Sequence, residues 1–314
     1  MSQTMSVRFL TMKGRNIMDN ETILFDRLEI IKTMNIKHDL EHNSYLSFSG
    51  GKDSTFLHYL LDMAIPNNNI PRVYVDTGIS YQKINEFVYN MAKTDKRIII
   101  VKPKLPIKQT LEKYGYPFKS KHHSYMLEKY QRLGMIYGVK NYLGVGENKV
   151  KRECPQKLKY QFSDSFNIRI SDLCCLKMKE EPMIQWQKEN NKTIAITGIM
   201  ADEEGRRKNA QCFISRNKKQ QFFNPLSKVT KEFEEWFIQK YNIQLCDLYY
   251  EPFNFHRTGC MGCPFAIEIQ DELDKLQKEL PIERRRCEII WKPIYDEYRR
   301  IGYRLRKEDY DPQN

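Results

Sequence analysis

The feature that most constrains this chain is a strand–loop–helix junction, Ser47-Phe48-Ser49-Gly50-Gly51-Lys52-Asp53-Ser54. Ser44-Tyr45-Leu46 before it reads as the end of a strand, and residues 55–61 after it read as a helix with one apolar face. The glycine pair lets the backbone turn tightly and come close to a ligand. The N–H groups that open the helix are a site for phosphate. Lys52 adds a mobile positive charge, and Ser49 and Ser54 add hydroxyl donors. The competing reading is a solvated turn with a serine cap. Two glycines, a lysine and flanking serines in one such junction favour phosphate, which makes Ser47, Ser49, Gly50, Gly51, Lys52, Asp53 and Ser54 candidate nucleotide-binding residues.

The rest of the chain repeats the strand–helix theme. Arg72-Val73-Tyr74-Val75 and Arg97-Ile98-Ile99-Ile100-Val101 are short β-branched runs, residues 84–91 have helical spacing, and residues 193–198 read as a buried strand. The alternation predicts an α/β fold, a doubly wound and mostly parallel sheet with helices on both faces. Ligands in such sheets bind beyond the strand C-termini. The glycine loop, Asp76-Thr77-Gly78 and Gly198 all fall at such ends. Residues 1–22 are polar and patternless, a candidate disordered segment. The nucleotide-binding domain is expected over 23–240, with a helical, basic and aromatic insertion over about 103–172. Within it, residues 228–241 read as an amphipathic helix. Residues 241–314 are expected to form a cysteine-bearing extension that ends in a charged helical segment over 267–306.

With 314 residues the chain can bury a sizeable core. No run approaches the roughly 18 apolar residues of a membrane span, and the N-terminus lacks a secretory pattern, so no membrane partner and a cytoplasmic location are expected. The formal net charge of +12 favours anionic partners, nucleotide or nucleic acid, but it is spread along the chain. Eight cysteines in a cytoplasmic chain argue for metal or redox chemistry over disulfides. Four stand out by spacing: the adjacent Cys174-Cys175, and Cys260-Met261-Gly262-Cys263. Two distant pairs can converge on one centre, because thiolates are soft ligands suited to zinc or iron–sulfur. An adjacent Cys-Cys is unusual for structural zinc, where two to four residues separate the ligands. Buried cysteines or a zinc staple are the alternatives to an iron–sulfur cluster.

The loop resembles the pyrophosphate loop of the N-type ATP pyrophosphatases, S-G-G-K-D-S, and lacks the spacing of a Walker loop. That resemblance implies use of ATP to adenylate a substrate, with release of pyrophosphate. From Ser44 to about Phe265 the chain also resembles the phosphoadenosine/adenosine phosphosulfate reductase family. Cys174-Cys175-x-x-x-Lys179-x-x-Pro182 matches C-C-x-x-R-K-x-x-P except that Met178 replaces arginine, and Gly259-Cys260-x-x-Cys263 matches G-C-x-x-C. Asp76-Thr77-Gly78 matches the D-T-G after the second strand. The segment from Gly198 to Arg207 resembles G-I-R-A-x-E-S-x-x-R, with Met200 and Glu204 as departures. Asn224-Pro225-Leu226 and Thr230-Lys231-Glu232-Phe233 resemble N-P-L…W-T-x-x-D-V. The resemblance implies a [4Fe-4S] cluster on Cys174, Cys175, Cys260 and Cys263.

Two departures divide the branches of this family. The sulfonucleotide reductases usually lack the Gly-Gly-Lys pattern that Gly51 and Lys52 retain here, and they carry a nucleophilic cysteine in a C-terminal E-C-G-[LI]-H tail that residues 306–314 do not contain. Cys287 is the remaining C-terminal thiol, and its helical context reads as packing. The nearer resemblance is to the DNA-phosphorothioation ATP pyrophosphatase branch. That implies ATP with Mg²⁺ as cofactor, adenylation of an acceptor and support of sulfur transfer. A sulfur-donor protein and nucleic acid are candidate partners, and the oligomeric state stays open with a homodimer as a candidate. Lys52, Asp53 and Arg207 are the candidate catalytic residues, Asp53 as a Mg²⁺ ligand or helix cap and Arg207 as a phosphate clamp. Lys179 is expected on the helix face of Cys175, His256 is a candidate neighbour of Cys260, and His122-His123 reads as a surface loop. The alternatives are a sulfonucleotide reductase with a thiol donor and a non-catalytic nucleotide- or nucleic-acid-binding protein.

Overall fold

Short runs of β-branched and aromatic residues build one six-stranded sheet in the order β3-β2-β1-β4-β6-β5. The strands are β1 (Ser44–Phe48), β2 (Arg72–Val75), β3 (Ile98–Val101), β4 (Ile194–Ile196), β5 (Phe213–Asn217) and β6 (Gln220–Phe223). The computed structural model describes residues 19–148, 152–201, 210–217, 220–256 and 258–309. All neighbours pair in parallel except β5 and β6, an antiparallel edge hairpin. The parallel core agrees with the sequence expectation. The hairpin had no sequence signal, because β5 is mostly exposed and polar.

The helices, in chain order, are α1 (Asn20–His38), α2 (Leu40–Asn43), α3 (Lys52–Ala64), α4 (Gln82–Thr94), α5 (Ile107–Tyr114), α6 (Lys121–Leu133), α7 (Tyr137–Tyr142), α8 (Leu173–Cys175), α9 (Glu181–Glu189), α10 (Lys231–Lys240), α11 (Ile269–Glu279) and α12 (Pro281–Ile301). α1 starts inside the stretch expected to be patternless, because the Asp19 side chain accepts from Thr22 N–H and caps it. The charged C-terminal stretch is two helices rather than one, divided at Leu280-Pro281, where proline opens the second.

Strand alternation sorts the sheet into two faces. Leu46, Phe48, Tyr74, Ile194 and Ile196 join the main core, with Leu57, Leu60 and Leu61 of α3 and Phe233 and Phe237 of α10. Tyr45, Val73 and Ala195 point the other way, against Met183 and Trp186 of α9. Helices thus lie on both faces, as a doubly wound sheet requires. The strand order reverses between β1 and β4, and the crevice at that switch point holds the glycine loop.

At the opposite, N-terminal end of β2 the fully buried Arg72 donates to Asp62 at 2.6 Å, Asn68 at 2.7 Å and His58 at 3.1 Å. Arg97 adds two hydrogen bonds to the same Asp62. Burying a guanidinium is tolerable because each partner is itself held. Among the described residues no helix is long and apolar enough to cross a membrane.

Candidate functional site

The glycine loop leaves β1 at Phe48 and enters α3 at Lys52. Gly50 has φ of +69°, and a β-carbon there would lie 2.6 Å from Val88 Cγ2 of α4. Only glycine meets both conditions, so the loop is seated on α4. Ser54 ties the turn together: its hydroxyl donates to Gly51 O at 3.0 Å, accepts from Ser49 N–H at 3.2 Å and lies 3.0 Å from Ser49 Oγ. Gly198, just past β4, packs with its α-carbon against the Asp53 backbone, where a β-carbon would stand 3.2 Å from the carbonyl oxygen.

The other expected strand-end residues gather around this loop. After β2, Asp76 accepts from Gly78 N–H at 3.1 Å and from the Tyr89 hydroxyl at 2.9 Å. Thr77 is buried and its hydroxyl accepts from Ile79 N–H at 3.3 Å. After β4, Thr197 donates to Asn224 Oδ1 at 2.6 Å, which brings the Asn224-Pro225-Leu226 segment to the same edge. Ser47, Ser49, Gly50, Gly51, Lys52, Asp53, Ser54, Asp76, Thr77, Gly78 and Gly198 therefore lie at the C-terminal ends of β1, β2 and β4. Arg207 lies outside the described residues.

Lys52 has partners that the sequence did not indicate. Its ammonium lies 3.3 Å from Glu234 Oε2 and 3.6 Å from Glu235 Oε1, both on α10. Glu234 is fully buried, and neither carboxylate oxygen has a hydrogen bond of good geometry. Burial, together with the charge of Asp53, pushes the Glu234 carboxyl up, while Lys52 pulls it back. The backbone N–H of Lys52 donates to the Tyr249 hydroxyl at 3.0 Å, and that hydroxyl lies 2.6 Å from Thr258 Oγ1. An acid inside an amphipathic helix and a tyrosine in a loop carry no motif, so only the fold brings them to Lys52.

The four expected cysteines also converge. Burial first, then the neighbouring thiols Cys260, Cys175 and Cys263, push the Cys174 thiol up. Cys263 is pushed up by burial and by Cys260. Lys179 is raised mainly by the negative charge of Cys260, to which it also hydrogen-bonds. Cys174 and Cys175 end α8, and the chain then widens into one π-helical turn, Leu176–Glu180, before α9. Such turns frequently accompany functional sites. Lys179 therefore reaches the cysteines from a π-helical rather than an α-helical face.

The second cysteine turn is clamped by the C-terminal helices. Gly262 has φ of +60°, and a β-carbon there would lie 2.4 Å from the Tyr295 hydroxyl and 2.6 Å from Cys287 Sγ. Trp291 Nε1 donates to Met261 O at 3.0 Å, Tyr298 donates to Pro264 O at 2.8 Å, and Gly262 N–H donates to Glu272 at 2.8 Å. Cys287 is fully buried in this clamp, as its helical spacing suggested. His256 is exposed. His122-His123 is not a surface loop: Ser120 caps α6 there, and His123 is buried between the Tyr142 hydroxyl at 2.9 Å and Gln161 at 2.8 Å.

The donor chemistry fits a thiolate-bound cluster: four thiols on two turns, with the Lys179 side chain hydrogen-bonded to Cys260. Among the described residues no three His, Cys, Asp or Glu side chains stand close enough to hold a single metal ion. A four-iron cluster occupies the space between its ligands and so needs them further apart than one ion does. Cys154, Cys212 and Cys246 are single free thiols elsewhere in the core or its margin.

Fold and site define a doubly wound α/β protein with a glycine loop at its switch point and four converging cysteines. The phosphoadenosine phosphosulfate reductase domain model matches residues 43–150 and 139–266, more than half of the chain. The chain belongs to that family. No match to a curated protein sequence was found. Among solved structures it is similar to phosphoadenylyl-sulfate reductase from Candida auris in a phosphate complex, at 13% identity and TM-score 0.45, covering 79% of this chain and 98% of that one. It is also similar to the U34-tRNA thiolase NcsA from Methanococcus maripaludis with its [4Fe-4S] cluster, at 14% identity and TM-score 0.37, covering 88% and 80%. A third is the NH3-dependent NAD synthetase from Campylobacter jejuni subsp. jejuni NCTC 11168, at 14% identity and TM-score 0.39, covering 91% and 96%. Likeness at these values bears on neither substrate nor chemistry.

Proposed function

We propose that this chain binds ATP at the glycine loop, adenylates an acceptor with release of pyrophosphate, and supports transfer of sulfur to it. The observation that carries this reading is the Gly50-Gly51-Lys52 turn at the switch point, opening α3 with Lys52 in its first turn. In this reading the N–H groups at the start of α3 and the Lys52 ammonium take the phosphates. Ser49 and Ser54 keep the turn in shape, and Asp76, Thr77 and Gly198 border the nucleotide. Asp53, which lies inside the first turn of α3 rather than at its cap, would hold Mg²⁺, and Arg207 would clamp phosphate.

Cys174, Cys175, Cys260 and Cys263 would hold the [4Fe-4S] cluster. When bound, it would supply a fixed charge and redox chemistry beside the site. Lys179 would balance thiolate charge, and Gly262 would let Tyr295 and Trp291 press the turn into place. Four protein ligands close such a centre, which suits a role in organising the site. Nucleic acid is the acceptor class most consistent with the net charge of +12.

The test is direct. Purified anaerobically, the protein should bind ATP by calorimetry and release pyrophosphate when its acceptor is present, and Lys52→Ala should abolish release. Failure to bind ATP would end this reading. A second reading, a sulfonucleotide reductase with a thiol donor, is favoured by family membership alone. It predicts thioredoxin-dependent sulfite release, which needs an attacking thiol, and Cys287 is too deeply packed to serve.

A further inference from the structure

Several of the donors that would meet an incoming phosphate have internal partners in this structure. Ser49 N–H donates to Ser54 Oγ at 3.2 Å and Gly51 N–H donates to Ser49 Oγ at 3.2 Å, both within the loop itself. The two donors of Lys52 are different, because their partners come from far along the chain. Its N–H meets the Tyr249 hydroxyl at 3.0 Å, and its ammonium meets Glu234 Oε2 at 3.3 Å. A β-carbon on Gly51 would stand 3.3 Å from that hydroxyl and 3.4 Å from Thr258 Oγ1, so both oxygens sit directly over the turn.

We propose that Tyr249 and Glu234 plug the loop: their oxygens stand where phosphate oxygens would stand, and phosphate enters only by displacing them. The inference rests on reading the loop as a phosphate site. Glu234 has the chemistry of a stand-in. Its carboxyl group is buried against the Lys52 ammonium, and neither oxygen has a hydrogen bond of good geometry, a costly arrangement that the lysine offsets. A polyphosphate carries more charge than one carboxylate and attracts the same ammonium more strongly. Tyr249 is likewise replaceable, because Thr258 can keep its hydroxyl bonded at 2.6 Å after the Lys52 amide is taken.

The plug also gives the loop a mechanical link to the cysteines. Thr258 precedes Cys260 by two residues, and Met261 N–H donates to Ile79 O at 3.0 Å, just beyond Asp76-Thr77-Gly78. Tyr249 and Thr258 thus join the first turn of α3 to the segment that carries Cys260 and Cys263.

The experiment is calorimetric titration of the full chain with inorganic pyrophosphate, comparing wild type, Tyr249→Phe, Glu234→Gln, Thr258→Val and Lys52→Ala. Removing the competing hydrogen bond in Tyr249→Phe should tighten binding by about three- to tenfold, the net worth of such a bond, and removing the competing charge in Glu234→Gln should tighten it as well. Thr258→Val should weaken binding, because the displaced Tyr249 hydroxyl then loses its remaining partner, and it carries the test if either other variant fails to fold. Wild-type binding that Lys52→Ala abolishes, but that Tyr249→Phe and Glu234→Gln leave equal or weaken, refutes the plug and leaves the phosphate loop standing. No binding by any form, the unplugged variants included, removes the phosphate reading and the plug with it.

Discussion

Gly50→Ala isolates the physics of the loop from its chemistry. Two costs can be read from the structure. At φ of +69° an alanine sits in the left-handed region, which costs about 1–2 kcal/mol. Its β-carbon would also lie 2.6 Å from Val88 Cγ2 and 3.2 Å from Ile84 Cγ2, both buried on α4. Overpacking of that kind costs about 1–3 kcal/mol. Gly50→Ala should therefore lower the unfolding free energy by about 2–5 kcal/mol. Val88→Ala alone loses about 1.6 kcal/mol of transfer free energy plus a cavity cost. In the double variant the new methyl group occupies the space that valine left. The clash disappears and the φ strain remains, so the double variant should be more stable than the sum of the singles predicts by about 1 kcal/mol or more. Urea unfolding at matched slopes measures all three. Additivity within about 0.5 kcal/mol, or a Gly50→Ala variant as stable as wild type, would refute the seating of the loop on α4.

The remaining predictions concern the buried charges and the cysteines. Asp62→Asn leaves the fully buried Arg72 without its carboxylate; breaking a buried pair costs about 3–5 kcal/mol, and the 31% exposure of the Asp62 side chain places the loss at or below the lower end, read by urea unfolding. Burial pushes His58 and His123 down to about 4, so both are neutral in the fold and protonated in the unfolded chain below its ordinary value near 6.5. Their contribution is present above that value and lost as pH falls toward 4, with a slope reaching about 2.7 kcal/mol per pH unit for two protons. Unfolding midpoints measured from pH 7 to pH 4 should show that fall, and His123→Asn should remove about half of the slope. Anaerobic protein should be brown, with a broad visible absorption and acid-labile sulfide. Cys174→Ser or Cys263→Ser should bleach it and Cys212→Ser should not, whereas a colourless zinc protein would overturn the cluster assignment.

The strands and the loop were legible because their causes are local. A β-branched run such as 98–101 has few alternatives to a buried strand, and a glycine pair followed by Lys52 marks a turn whatever lies around it. The cysteine pairs were legible for a chemical reason: thiolates are scarce, and their spacing restricts what they can bind. The antiparallel β5–β6 hairpin was not legible, since β5 is polar and paired only along its edge. His123 misled in the opposite direction. A basic, polar neighbourhood reads as surface, yet Tyr142 and Gln161 satisfy both ring nitrogens inside the core.

By itself the sequence determined the alternation of strands and helices, the glycine loop at a strand end and the two separate cysteine pairs. Each of these depends on residues adjacent in the chain. Tertiary structure alone decided what faces Lys52 and what holds the cysteine turn. Glu234 arrives from α10, Tyr249 and Thr258 from the connection before Cys260, and Trp291 and Tyr295 from α12. Such meetings depend on how helices pack over a finished sheet. No local pattern records them, because a buried acid or a loop tyrosine acquires its role only from the partner that folding brings within 3–4 Å, the reach of a hydrogen bond or ion pair.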